Sequence, residues 1–216
     1  MLSIIQAAGW PIWPLILCSI ITVALIIERL MSLRRIRVAP AKLLDEVMSV
    51  TRSSLPSNDV VSRLAESSLL GRVLAAGMRT VIGDARTTET ALRNAFEIAG
   101  RDAMHQMERY LNALATIVTA APLMGLLGTV VGMIEIFASQ TTGAAGLANP
   151  AQLAQGISIA LYNTAFGLII AIPALLFYRY FRGMINDYRM TMELAAERMV
   201  PQLLRHTVGR AAGGTA

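Results

Sequence analysis

The sequence predicts an all-α integral membrane protein. Three transmembrane helices are expected, with long helices extending into a cytoplasmic helical domain, and the subunits are expected to form an oligomeric ring. Three observations carry this. First, 55% of the 216 residues are hydrophobic and 15% charged, and the mean hydropathy is +0.55, far from the balance of a soluble domain. Second, charge is segregated. Nothing before Glu28 is charged, and all 19 Lys and Arg lie in two blocks, 29–109 and 179–210. Third, small residues crowd the second and third apolar segments, and two membrane helices can approach closely there.

Residues 1–9 are expected to face outward. The first span, 10–28, ends directly in Glu28 and Arg29. No positive residue precedes it and no small-residue cleavage site follows it, so it is expected to remain as an anchor and not to be removed as a signal peptide. Trp10, Pro11 and Trp13 at its start suit an interfacial aromatic belt, as do Tyr178 and Tyr180 at the far end of the third span. The second span is placed at 110–138 and the third at 157–178; each is long enough for a bilayer, which needs about 20 residues. Arg34, Arg35 and Arg37 follow the first span, Arg101 and Arg109 precede the second, and Arg179, Arg182 and Arg189 follow the third. The positive-inside rule then puts 29–109 and 179–216 in the cytoplasm and the uncharged loop 139–156 outside. Cys18, the lone cysteine, lies inside the first span and reads as a small hydrophobe.

The cytoplasmic part reads as helical. A short helix is expected over 41–52, broken by Leu55-Pro56-Ser57. Asn58 is expected to cap a second helix that reaches about Ile82, with Gly83-Asp84 as punctuation. From Thr88, the apolar residues Leu92, Ala95, Phe96, Ala99, Ala103, Met107 and Tyr110 recur at helical spacing. Glu89, Arg93, Glu97 and Arg101 alternate in sign at i,i+4 on another face. With no Gly-Pro break before the second span, one continuous helix is expected from 88 to 138. In the tail, Met184, Ile185, Tyr188, Met192, Met199 and Leu203 line one face, while Arg189, Glu193 and Glu197 line another. Pro201 is expected to perturb this helix, and residues 211–216 to be disordered.

The second and third spans hold the chemical content. Gly128 and Gly132 form a GxxxG, and Gly125 with Thr129 fits the looser small-xxx-small spacing. Such faces serve packing either within one chain or between chains. Polar residues are few: Thr116, Thr119, Thr129 and Glu135, then Ser158, Tyr162, Asn163 and Thr164. Between Tyr110 and Tyr178, Glu135 is the only charged residue. A carboxylate at the bilayer centre costs about 2.5–3.5 kcal/mol on insertion scales. Glu135 lies roughly 18 Å of helix rise beyond Leu123, near the outer mouth, where the cost falls. Either it meets water there or it serves a polar path. The threonines have a local alternative too, because a hydroxyl can bond the carbonyl four residues back. Pro122 and Pro173 free the carbonyls of Val118 and Ile169, which nearby hydroxyls could satisfy.

Several function classes are excluded. His105 and His206 are isolated, the cysteine is single, and neither a phosphate-binding P-loop nor a GxSxG elbow occurs. No metal site, no cofactor and no enzymatic activity are expected. Basic runs interleaved with aromatics are absent, which argues against nucleic acid.

Two motifs carry a resemblance. The first is APLMGLLGTVVG at 121–132. The second is GISIALYNTAFGL at 156–168, followed by Ala171-Ile172-Pro173-Ala174. With the order of the spans and the basic domain between the first two, they resemble the ExbB/TolQ/MotA family of proton-channel subunits, and most nearly its ExbB and TolQ branches. The resemblance implies a homopentamer in the bacterial inner membrane, around single-span partners of the ExbD/TolR type that supply the titrating aspartate. Proton flow would drive movement relayed to a TonB-like transducer and energise outer-membrane transport. A TolA-like output serving envelope integrity is the alternative, and a non-conducting scaffold is a third reading. The resemblance places the threonines matching Thr129 and Thr164 at the central pore. With them, Glu135, Asn163 and Ser158 are the candidates for the proton pathway. Gly125, Gly128, Gly132, Gly167, Pro122 and Pro173 are the candidates for helix packing. Two departures stand out: Ile159 occupies a position where relatives often carry a glutamate, and Ala120 one where they carry a threonine.

Overall fold

The structure is a computed structural model that describes residues 10–84, 86–141 and 150–213. The expected outward segment 1–9, the loop centre 142–149 and the last residues 214–216 lie outside the described residues. All described elements are helices: α1 Ile12–Ser32, α2 Arg35–Val38, α3 Leu43–Ser53, α4 Asn58–Ser67, α5 Leu69–Gly83, α6 Glu89–Glu108, α7 Leu111–Thr141 and α8 Pro150–Gly213. Three helical stretches are long and apolar enough to cross a membrane: Ile12–Ser32, Glu89–Ala138 and Gly156–Thr207. The chain divides into two compact units, one of residues 1–28 and 110–180, the other of residues 29–109 and 181–216.

In the first unit α1, α7 and the first part of α8 pack around Leu15, Ile117, Ala121 and Ala171. Cys18, Leu25, Met124, Phe166 and Ile170 surround them. Two of the four central residues are alanines, so the backbones come close and little side-chain volume is needed between them. The outward surface is apolar: Trp13, Ile20, Leu123, Ile134, Leu161, Ile169 and Leu176 are all more than half exposed. In water that would be an aggregation liability; in hydrocarbon it is the compatible surface. Helix α1 starts at Ile12, two residues later than the span read from sequence, and runs on to Ser32. Thr22 satisfies its hydroxyl locally by donating to the Cys18 carbonyl at 2.7 Å. Helices α7 and α8 also overrun the expected loop 139–156. α7 reaches Thr141, and α8 begins at Pro150, where the ring presets the helical φ and the missing N–H is no loss.

The second unit is built on α6 and residues 181–213 of α8. Leu92, Phe96, Ala103 and Met107 are buried from α6, and Phe181, Ile185, Tyr188, Met192, Ala195, Met199 and Leu203 from α8. The stripes read from periodicity are thus mostly buried, but Ala95, Ala99 and Met184 are only half-buried and Tyr110 is exposed. Three helix boundaries differ from expectation. Ser57, not Asn58, precedes α4, and it makes no side-chain cap. The helix expected to reach Ile82 is interrupted at Ser68, whose extended backbone lets its Oγ accept from the Gly71 N–H at 3.0 Å and cap α5. Gly71 is required there, because a Cβ would collide with the Leu64 carbonyl oxygen. The continuous helix expected from 88 to 138 is broken for two residues, Arg109 and Tyr110, although Arg109 keeps helical dihedrals of −45° and −45°. Thr88 caps α6, a cap not singled out from the sequence: its Oγ1 accepts from the Ala91 N–H at 3.2 Å. Pro201 does not end α8, and the helix continues past residue 211 to Gly213.

Polar anchors hold this unit in register. Buried Arg29 donates to the Met107 carbonyl at 2.8 Å. The Tyr188 hydroxyl donates to the Leu33 carbonyl at 2.8 Å across 155 residues of sequence. Arg182 pairs with Glu108 at 2.7 Å.

Candidate functional site

Helices α7 and α8 run antiparallel, and their small residues are the points of closest approach. A Cβ built on Gly125 would lie 2.8 Å from the Asn163 carbonyl oxygen and 3.0 Å from Thr164 Cα. One on Gly128 would lie 2.9 Å from Asn163 Cβ, Cγ and Nδ2, and one on Gly132 would lie 3.4 Å from Ala160 Cβ. From the other helix, a Cβ on Gly167 would lie 2.6 Å from the Ala121 carbonyl oxygen, and one on Gly156 would collide with Ile136. The seam therefore runs from Ala121 opposite Gly167 to Ile136 opposite Gly156. Four of the five glycines could accept no side chain without a neighbour moving; Gly132 has ordinary contact distance. Gly125, Gly128, Gly132 and Gly167 thus pack within one chain.

The polar candidates fall in three places. Asn163 is 2% exposed and buried in the seam against Gly128. Thr129 and Thr164 are half-buried at its margin, Thr164 with its backbone against Gly125. Ser158 and Glu135 are exposed. The Thr129 hydroxyl donates to the Leu126 carbonyl at 2.7 Å, Thr116 to Asn112 at 2.9 Å and Thr119 to Thr116 at 3.0 Å. The hydroxyls of Thr119 and Thr129 therefore do not serve the Val118 carbonyl that Pro122 frees. Their oxygens keep lone pairs that can accept from a visiting donor. Pro122 lies half-buried inside α7, and Pro173 exposed inside α8. The side chain of Ile159 lies outside the described residues, as do those of Ser139, Gln140 and Thr141.

Sequence reasoning did not single out Ile136 or the carbonyl of Ala121. The signal was present in the spacing, since an antiparallel pair that sets Gly125 against Thr164 must set residues near 136 against residues near 156. Among the described residues no group of His, Cys, Asp or Glu could hold a metal ion.

The second unit has a cavity of its own, about 900 Å³, between α6 and α8. Arg93 crosses it, donating to Glu197 at 2.7 Å and to Glu89 at 2.8 Å. The Glu197 hydrogen bond, followed by that to Glu89, raises the Arg93 pKa above its ordinary value. The Glu193 hydrogen bond does the same for Arg189. These guanidiniums are permanently charged and exposed, so they act as surface pairing, not as proton carriers.

Three helices apolar enough to span a membrane, a seam of small residues and two half-buried hydroxyls at its margin characterise the first unit. The chain belongs to the MotA/TolQ/ExbB proton channel family, whose profile matches residues 65–194. An ExbB-like protein of Synechocystis is 33% identical over 179 residues, covering 83% of each chain. The biopolymer transport protein exbB1 of Vibrio cholerae is 33% identical over 172 residues, covering 78% of this chain and 73% of its own. The biopolymer transport protein ExbB of Salmonella typhimurium is 29% identical over 202 residues, covering 87% and 78% respectively.

Proposed function

We propose that this chain is the channel subunit of an inner-membrane motor. A homopentamer would enclose an ExbD-like single-span subunit, and proton flow would do mechanical work on a TonB-like transducer to energise outer-membrane transport. The observation that carries the reading is the pair Thr129 and Thr164, half-buried beside a glycine seam in a stretch whose only carboxylate, Glu135, is exposed. Hydroxyls can relay or orient a proton but cannot hold its charge near neutral pH. A conducting path through this chain therefore needs an acid from another helix. Orientation follows the basic residues: Arg34, Arg35 and Arg37 after α1, and Arg179 and Arg182 in α8, support a cytoplasmic C-terminus and a periplasmic N-terminus.

The scaffold reading draws on a different observation: the glycines pack inside one chain, and the Thr129 hydroxyl is bonded to its own helix. Co-expression of the chain with its single-span partner, followed by proton-flux measurement in reconstituted vesicles, separates the two. Flux that appears only with the partner, and vanishes when the partner's membrane carboxylate is neutralised, is the expected result. A complex that assembles and transmits work without flux would establish the scaffold.

A further inference from the structure

A second groove in the same unit, about 550 Å³, lies between the end of α3 and the distal part of α8. It falls within the size range of small-molecule sites. Arg52 lines it from α3, and Arg198 and Arg205 from α8, together with Gln202 and His206. Spacings of four and seven residues put Arg198, Gln202 and Arg205 on one stripe of the helix. No carboxylate lines the groove.

The walls are fixed by hydrogen bonds that do not use the arginines. Helix α3 ends with carbonyls that have no partner in their own helix. Gln202 Nε2 donates to the Met48 carbonyl at 2.7 Å and to Thr51 Oγ1 at 2.6 Å. His206 Nε2 lies 2.6 Å from the Thr51 carbonyl. A carbonyl only accepts, so Nε2 carries the hydrogen. Thr51, wholly buried, donates onward to the Val47 carbonyl at 2.8 Å. An amide and an imidazole thus tie α8 to the end of α3, and the three guanidiniums take no part in these bonds.

The contrast within the unit is informative. Arg72, Arg93, Arg101, Arg182 and Arg189 each pair with a carboxylate. Arg52, Arg198 and Arg205 have no such pair among the described residues. Three like charges around one concavity repel one another, and an anion between them reverses the sign of that term. The guanidinium fork matches the oxygens of a phosphate group in a bidentate manner.

The geometry points to a binding site for a small phosphate-bearing anion in this groove, held by Arg52, Arg198 and Arg205. A bilayer headgroup offers the same chemistry, but Arg205 lies 24 residues beyond Phe181, roughly 36 Å of helix rise. On the topology proposed above, the membrane ends near Phe181, so a soluble anion is the occupant. Bound there, it ties α3 to α8 and stabilises the cytoplasmic unit.

The test uses the purified full-length protein, titrated calorimetrically with pyrophosphate at constant ionic strength, with chloride as the control. Saturable binding is expected in the native chain, at least tenfold weaker in R198Q/R205Q. R205K keeps the charge and loses the fork, so it should weaken binding by an intermediate factor. It also serves as the readout if the double variant fails to fold. Pyrophosphate binding no tighter than chloride, or unchanged in R205K and the double variant, overturns the site. If instead extracted phospholipid phosphate falls in the variants while pyrophosphate does not bind, the groove holds a lipid. If only a glutamate-rich peptide binds, the occupant is a protein, and the proposal fails. None of these outcomes depends on proton flux, so the test is independent of the channel reading.

Discussion

Gly128 of α7 and Asn163 of α8 meet with no room for a methyl group: a Cβ on the glycine would stand 2.9 Å from three atoms of the Asn163 side chain. That separation is well inside van der Waals contact, and Asn163 is buried. Gly128→Ala should therefore destabilise the bundle by about 1–3 kcal/mol, the usual cost of overpacking. Gly183→Ala is the opposite case, because nothing lies within 4 Å of the added carbon. It should gain up to about 1 kcal/mol from helix propensity alone. Thermal unfolding of both variants in the same detergent decides the matter, and equal effects would contradict the seam.

Tyr188 and Arg93 make long-range polar contacts of very different worth. Tyr188→Phe removes a buried donor and strands the Leu33 carbonyl, which should cost about 1–3 kcal/mol. Glu197→Gln breaks the 2.7 Å pair with Arg93, but both side chains are about half exposed. Water and the neighbouring Glu89 compensate, so the loss should be much the smaller of the two. Denaturant midpoints of the two variants should rank in that order.

Thr129→Val and Thr164→Val nearly conserve volume and delete a hydroxyl. Thr129 donates only within its own helix, so its replacement should not prevent folding or assembly. On the channel reading each should abolish partner-dependent proton flux. Native mass spectrometry and flux measured on the same preparation provide the check, and full flux in both variants would return the hydroxyls to backbone bonding.

Glu135 is exposed on α7, nearly two turns beyond Thr129 toward the 142–149 segment. A carboxylate there can raise the local proton concentration at a pore entrance without carrying each proton through. Glu135→Gln should lower flux by a modest factor, several-fold at most, and the effect should shrink at high salt as screening takes over. Complete loss of flux with an intact complex would make Glu135 an obligatory carrier.

Ring stoichiometry offers a further check. The channel reading requires several copies of the chain around a partner helix. Native mass spectrometry should return a homo-oligomer, with a pentamer as the expected species; a functional monomer would refute the ring.

Hydropathy, charge segregation and three- and four-residue spacing are local properties of a chain, and here they determined the three long apolar helices and most of the buried stripes of α6 and α8. They also drew attention to Gly125, Gly128 and Gly132 before any partner for them was known. What locality could not decide was which helix those glycines face. Contact between α7 and α8 depends on the register of two segments about 35 residues apart, and only the folded chain sets Asn163 into Gly128 and Ile136 against Gly156. The break at Ser68 has the same origin. Nothing in Glu66-Ser67-Ser68-Leu69 forbids a helix, but the close approach of the Leu64 carbonyl to Gly71 and the cap from Ser68 favour two short helices over one long one. Propensities differ by tenths of a kcal/mol per residue, whereas a cap contributes about 1 kcal/mol and a buried contact more, so tertiary packing prevails wherever the two disagree.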